Sequence, residues 1–325
     1  MSDKLEISIS DEAGVFLARK EIKYFCETLG FSRLDREKIE LITSELGMNL
    51  VKYPKRGKLL YSKVTYNEVI GIEIISEDRG ETPIDVLTHI NRKSPMDLRK
   101  SLKAGLTSIY NLSDEFVYEH TDKGSRFIAR KWIPIPNQFF KYSVISRPKP
   151  GEWANGDSFF IKQLPQYSIF SIIDGLGHGE EAETAAGEAL DVLKVYYYLP
   201  LDELILKIHS MITGTRGVVL SILKVFSFEQ KLEFAGVGNV ELRIFNHPDS
   251  PKFYSTNGTI GLHFDKVSIL TFRYFKGATM VMFSDGLRDV EFSNDVVRLS
   301  PPQMAGFLMD SFSKSNDDAT VMVIR

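Results

Sequence analysis

Acidic residues fall at four places where apolar runs begin or give out. Asp157 follows Gly156 and opens an apolar stretch over 159–164. Asp174 ends the run 169–173 and starts D-G-L-G-H-G, through 179. Asp285 follows the run 279–284 and precedes Gly286. Asp317 and Asp318 lead into the closing A-T-V-M-V-I-R. Short apolar runs bounded by turn residues read as buried strands, so each acid stands at a strand end or in the loop beside it. Carboxylates that converge from such places repel one another unless a cation neutralises them. With neither cysteine clusters nor paired histidines, the donors are hard oxygens, and Mg²⁺ or Mn²⁺ is favoured over Zn²⁺. Two such ions orient a water and lower its pKa, which equips a site to hydrolyse a phosphate ester without a covalent intermediate. Gly175, Gly177 and Gly179 read as positions of close backbone approach or positive φ. A solvated aspartate in a glycine-rich turn would explain any one of these motifs, but not their recurrence.

The elements that must position these acids are mostly strands, expected at 139–146, 159–164, 167–173, 218–226, 231–237, 241–245, 267–273 and 279–284. Helices are expected at 180–198, 202–212 and 302–312. His178 reads as a loop histidine with a structural hydrogen bond ahead of a general acid. Arg147 and Lys149 precede the first acidic motif and either receive a phosphate or belong to a solvated loop.

A second set of polar residues lies in the first half. Glu45, Asn49 and Lys52 are spaced by four and three residues, which puts them on one face of a helix expected at 34–53. An earlier helix, 11–29, has Asp11 as its N-cap and Gly30 as its stop. Strands are expected at 5–10, 59–66, 69–76, 115–119 and 125–132. After the third of these, E-D-R-G-E-T-P again places an aspartate, Asp78, at a strand end beside a glycine, Gly80. Helices gathered on a mixed or antiparallel sheet make this half an α+β layer.

The 325 residues suit about two domains. The join is W-I-P-I-P-N-Q at 132–138, where alternating prolines hold the chain extended. The boundary is therefore set between 135 and 136. A net charge of −3 without basic runs argues against nucleic acid. The single cysteine, Cys26, has no internal partner and reads as buried. No apolar run is long enough to cross a bilayer and no signal-like core is present, so a cytoplasmic protein is expected.

The N-terminal motifs over about 5–132 resemble the nucleotide-binding domain of GHKL ATPases, and within them the anti-sigma-factor serine kinases of the RsbW and RsbT type. The resemblance implies that Glu45 is a general base and Asn49 a magnesium ligand, with Lys52 near the phosphates and Asp78 contacting adenine beside Gly80. ATP with Mg²⁺ is the implied cofactor. Thr82 stands where the family has a second glycine. The phosphate lid should lie just before L-S-D-E-F at 112–116, but the stretch reads L-K-A-G-L-T-S-I-Y-N-L. Gly105 remains there, while Lys103 and Ser108 replace other glycines. Side chains crowd a phosphate cradle that depends on exposed N–H groups, and Lys103 can replace part of the contact as a point charge. The family also allows a homodimer.

The order G-D, D-G-L-G-H-G, S-D-G, D-D-A-T over about 139–325 resembles the metal-dependent (type 2C) protein serine/threonine phosphatases, nearest their SpoIIE and RsbX branch. It implies an α/β/β/α sandwich. It also implies two Mn²⁺ or Mg²⁺ ions, with Asp174 bridging both, the Gly175 carbonyl holding one, and Asp157, Asp285 and Asp317 completing the shell. Asp317 is preferred to Asp318 because the family's ligand lies three residues before Thr320. The implied substrate is phosphoserine or phosphothreonine on a STAS-domain regulator in a partner-switching circuit, with a sigma factor as a further partner. The first half then either phosphorylates the same target or docks it as a non-catalytic module.

Overall fold

The structure is a computed structural model that describes residues 3–52, 57–80, 84, 86–87, 100–134 and 140–325, with the side chains of 100–104 excepted. It divides into two compact units, Met1–Pro136 and Asn137–Arg325. Thr82 and residues 135–139 of the connector lie outside the described residues, as does the side chain of Lys103.

The first unit runs β1 (Lys4–Ile9), α1 (Glu12–Thr28), α2 (Arg33–Lys52), β2 (Gly57–Tyr66), β3 (Val69–Asp78), α3 (Lys100–Leu112), β4 (Glu115–Thr121) and β5 (Gly124–Trp132). The sheet order is β1-β2-β3-β5-β4, and every pairing is antiparallel. Asp11 caps α1 by accepting from the Gly14 N–H at 2.9 Å. Val15, Ala18, Ile22 and Cys26 form its buried stripe at helical spacing. Burial pushes the Cys26 thiol up to about 12, which leaves it unreactive. On α2 the buried stripe is Ile39, Ile42, Leu46 and Leu50. Glu45 and Asn49 flank that stripe and are half-buried.

The second unit adds β6 (Tyr142–Arg147), β7 (Asp157–Gln163), β8 (Ser168–Gly175), α4 (Glu180–Tyr196), α5 (Leu201–Met211), β9 (Val218–Phe226), β10 (Lys231–Val237), β11 (Glu241–Phe245), β12 (Gly258–Thr259), β13 (His263–Phe264), β14 (Leu270–Arg273), β15 (Thr279–Phe283), α6 (Asn294–Arg298), α7 (Pro301–Phe312) and β16 (Ala319–Ile324). One sheet is ordered β14-β10-β9-β8-β7 and the other β11-β15-β16-β6. Phe170, Ile172, Leu223 and Phe234 of the first meet Met280, Met282, Met322 and Ile324 of the second in a shared core. Removing a ring such as Phe170 from it should cost about 3–5 kcal/mol. On the outer face of the second sheet, Val281, Val321 and Val323 pack against Met304 and Leu308 of α7. Helix α4 lies on β7 and β8. The layers are therefore helix, sheet, sheet, helix. Strand β8 is buried from 168 to 173 because it is covered on both faces, which explains its unbroken apolar run. Among the described residues no helix is long and apolar enough to cross a membrane.

Candidate functional site

The acidic positions of the second unit come together. Asp157 and Asp174 are direct partners in the β7–β8 ladder, which sets two like charges on one face about 4.5–5.5 Å apart at Cβ. Asp285 follows β15, and Asp317 and Asp318 precede β16, the strand paired with β15. Asp157 is 5% exposed. Its Oδ2 accepts from the Ser284 hydroxyl at 2.7 Å, while its buried Oδ1 has no hydrogen-bond partner among the described residues.

Charge density is the dominant feature of this corner. Burial pushes the Asp174 carboxyl far above the ordinary range, and Asp157, Asp285, Asp317 and Asp318 push it further. Burial also raises Asp157; the Ser284 and Thr320 hydroxyls offset part of this, and Asp318 and Asp285 add to it. Asp317 is raised by burial and then by Asp285, against the opposing charge of Lys314. Among the described residues no three His, Cys, Asp or Glu side chains are set to hold one ion as they stand. The cluster is thus a gathering of hard oxygen donors rather than a closed cage.

Asp317 and Asp318 differ in what surrounds them. Both Asp318 oxygens accept backbone N–H groups, from Lys149 at 2.8 Å and Gly156 at 3.0 Å. Asp318 therefore ties the loop before β7 to β16, and Asp317 is the more open of the two. Asn239, at the turn before β11, donates to Asp285 Oδ2 at 2.8 Å. The glycines divide the work expected of them. Gly175 is a close-approach position, since a Cβ there would collide with the Ala182 carbonyl of α4, and its N–H donates to Gly156 O at 2.9 Å. Gly177 and Gly179 hold φ of +89° and +80°.

The weaker candidates are occupied. His178 is clamped between Glu152 Oε1 at 2.6 Å and Lys149 Nζ at 2.9 Å, a structural tie between the loop before β7 and the glycine-rich loop. Arg147 pairs with Asp310 of α7 at 2.9 Å. Reading the sequence missed Asp318 as a tie, Glu152 and Asn239. It also missed Ser284 and Thr320, although these sit inside the S-D-G and D-D-A-T motifs, where the neighbours of each acid were the available signal.

In the first unit, Glu45 and Asn49 lie side by side on α2, facing Gly105. A Cβ on Gly105 would stand 2.7 Å from Glu45 Oε2 and 3.8 Å from Asn49 Oδ1. The Asn49 Nδ2 is buried without a partner among the described residues. Lys52 closes the helix at an exposed position. Asp78 ends β3 and accepts from the Gly80 N–H at 2.6 Å, an Asx turn. The stretch expected to hold a phosphate lid is the helix α3. Leu, Lys and Ala at 102–104 are good helix formers, where glycines would favour a loop. The R-K-W at 130–132 serves the fold: Arg130 pairs with Glu73 at 2.7 Å and Glu115 at 3.1 Å, and the Trp132 indole N–H donates to Glu115 at 2.6 Å.

No family model matches the chain. Two relatives from Bacillus subtilis (strain 168) do. The phosphoserine phosphatase RsbX is 28% identical over 153 residues, which is 46% of this chain and 76% of RsbX. The serine/threonine-protein kinase RsbT is 28% identical over 134 residues, which is 41% of this chain and 99% of RsbT. A crystal structure of RsbX in complex with magnesium matches with a TM-score of 0.51 at 24% identity, over 58% of this chain and 96% of that one. The PP2C phosphatase domain of SpoIIE from Bacillus subtilis, with a fragment of its regulatory domain, matches with a TM-score of 0.51 at 19% identity, over 97% of this chain and 95% of that one. At these identities the two structures speak for the fold. The chain thus joins a kinase-like part, similar to RsbT, to a type 2C phosphatase-like part, similar to RsbX.

Proposed function

We propose that the protein is a phosphoprotein serine/threonine phosphatase of a partner-switching circuit, acting on a STAS-domain regulator. The observation that carries this reading is the facing pair of buried Asp157 and half-buried Asp174, mutually repulsive and short of a partner at Asp157 Oδ1. Such a pair is unfavourable without a cation, and an all-oxygen donor set fits Mg²⁺ or Mn²⁺. Asp174, Asp157, Asp285, Asp317 and the Gly175 carbonyl would hold two ions. When bound, these ions supply a water of lowered pKa and positive charge for the phosphoryl oxygens. The chain's own residues orient the donors. Ser284 fixes Asp157, Asn239 fixes Asp285, and Asp318 fastens the loop that leads into β7. The test is phosphate release from a STAS-domain protein phosphorylated on serine, with and without Mn²⁺. Release only with the ion supports the reading, and none under either condition removes it.

For the first unit, Glu45 would act as general base, and Asn49 and Asp78 would take Mg²⁺ and adenine of bound ATP, so that kinase and phosphatase act on one target. Tethering would then raise the effective concentration of the second activity once the first has docked. The contact of Gly105 with Glu45, within a helix rather than a glycine loop, favours a second reading in which this unit docks the regulator without phosphotransfer. Calorimetric titration with Mg-ATP separates the two. Saturable binding lost in Asn49→Ala supports the kinase, and absence of binding at millimolar nucleotide supports the docking module.

A further inference from the structure

The loop between β6 and β7 is held at many points, yet it presents one large apolar side chain wholly to water. Asp318 accepts from Lys149 N and Gly156 N, and Glu152 N donates to Lys149 O at 2.9 Å. The Asn155 side chain donates to Ser146 Oγ at 2.8 Å and accepts from Asp157 N at 3.0 Å. Beside these anchors Trp153 is fully exposed. The loop is fixed, so the indole stays in solvent by construction.

A second exposed apolar residue lies in the loop that follows Asp174. Leu176, two residues after Asp174, is 44% exposed, and its N–H is held by Gly217 O at 3.0 Å. The clamp of His178 on Glu152 joins its loop to that of Trp153. Two anchored loops thus adjoin the facing pair Asp157 and Asp174, each with one exposed apolar group. Two cavities of about 380 and 640 Å³ open elsewhere on this unit, lined by other residues. Exposed apolar groups held beside the acids suit apolar side chains on the bound segment, and tryptophan is prominent among residues that carry interface energy.

The geometry points to Trp153, with Leu176, as the contact that selects a protein substrate: a phosphorylated segment whose phosphoserine or phosphothreonine is flanked by apolar side chains. This rests on the phosphatase reading of the acid cluster. Three probes test it on the full chain with Mn²⁺: p-nitrophenyl phosphate, a phosphoserine peptide with leucines beside the phosphoserine, and the same peptide with serines there. The wild type should favour the leucine peptide by about tenfold in kcat/KM, through KM. Trp153→Ala should erase that preference and leave p-nitrophenyl phosphate turnover within about twofold, while Trp153→Phe should keep most of it. The inference is overturned if the wild type shows no preference, if Trp153→Ala retains it, or if Trp153→Ala loses the small ester equally, which would make Trp153 a support of the loop. A wild type that hydrolyses none of the three removes the phosphatase reading itself, and the inference with it.

Discussion

The two candidate sites are built by opposite means. In the second unit, acids arrive from the ends of β7, β8, β15 and β16, and strand register fixes them. Asp157 faces Asp174 because the β7–β8 ladder puts it there. In the first unit, Glu45 and Asn49 share a helix face, and the element opposite them is α3, whose Gly105 lies against the Glu45 carboxylate. A sheet can force like charges together and hold them; a helix face offers polar groups but depends on its neighbours to enclose a ligand. The acid cluster is accordingly costly to the fold without its cation, whereas the cost at the Glu45 face is that of a neutral buried amide, Asn49 Nδ2, without like-charge repulsion. Stability given up at a site in this way is a mark of function.

The sharpest way to break this contrast is Asp157→Asn. It removes one buried like charge, so phosphate release should fall by about 10²–10³-fold or more while the metal-free protein melts at a higher temperature. Glu45→Gln should leave the metal-free melt nearly unchanged. If Asp157→Asn lowers the melt and Glu45→Gln lowers it as much, the two sites do not differ as described. Next in size is Asp318→Ala, which leaves the Lys149 and Gly156 N–H groups unmet. It should reduce turnover about 10–100-fold by loosening the loop and cost about 1–3 kcal/mol of stability. Near wild-type values in both would show that the tie is dispensable.

Gly105→Ala sharpens the other side. The new Cβ displaces the flexible Glu45 carboxylate rather than the backbone, and alanine gains about 1 kcal/mol of helix propensity over glycine. Fold stability should hold or rise, and phosphatase turnover should not change. Mg-ATP affinity measured by calorimetry should drop about tenfold if Glu45 works at a nucleotide site; no change in an ATP-binding protein would free Glu45 from that role.

A pH slope tests the cluster without any substitution. Asp157 and Asp174 have raised folded values, so the native state binds more protons than the unfolded chain above the ordinary carboxylate pKa of roughly 4. Stability of the metal-free protein should therefore fall as pH rises from about 4 through the folded values, and saturating Mn²⁺ should flatten the slope. Thermal melts at pH 5 and pH 8, with and without the ion, measure it, and an identical slope in both conditions counts against the cluster as its source.

Much of the acid cluster was legible because its signal is local. The run ending at Asp174 gave a strand expected at 167–173, and β8 spans Ser168–Gly175. Asp11 as the cap of α1 rests on equally local chemistry. What stayed hidden depends on distant pairings. Asp318 bonds to residues 162 and 169 positions away, and the Glu152–His178 clamp joins two loops whose sequences show no partner pattern. The hairpin β12–β13 is two residues per strand, too short to carry alternation. The lid was expected just before 112–116, where α3 (Lys100–Leu112) stands, and residues 88–99 ahead of it lie outside the described residues.

The metal-dependent phosphatase assignment is tested most directly by a calorimetric titration of Mn²⁺ into the metal-free full chain and into Asp174→Asn, paired with phosphate release from a phosphoserine substrate. Saturable binding and ion-dependent turnover are expected in the wild type, with both lost in Asp174→Asn. Turnover that survives chelation, or that persists in Asp174→Asn, would contradict the assignment.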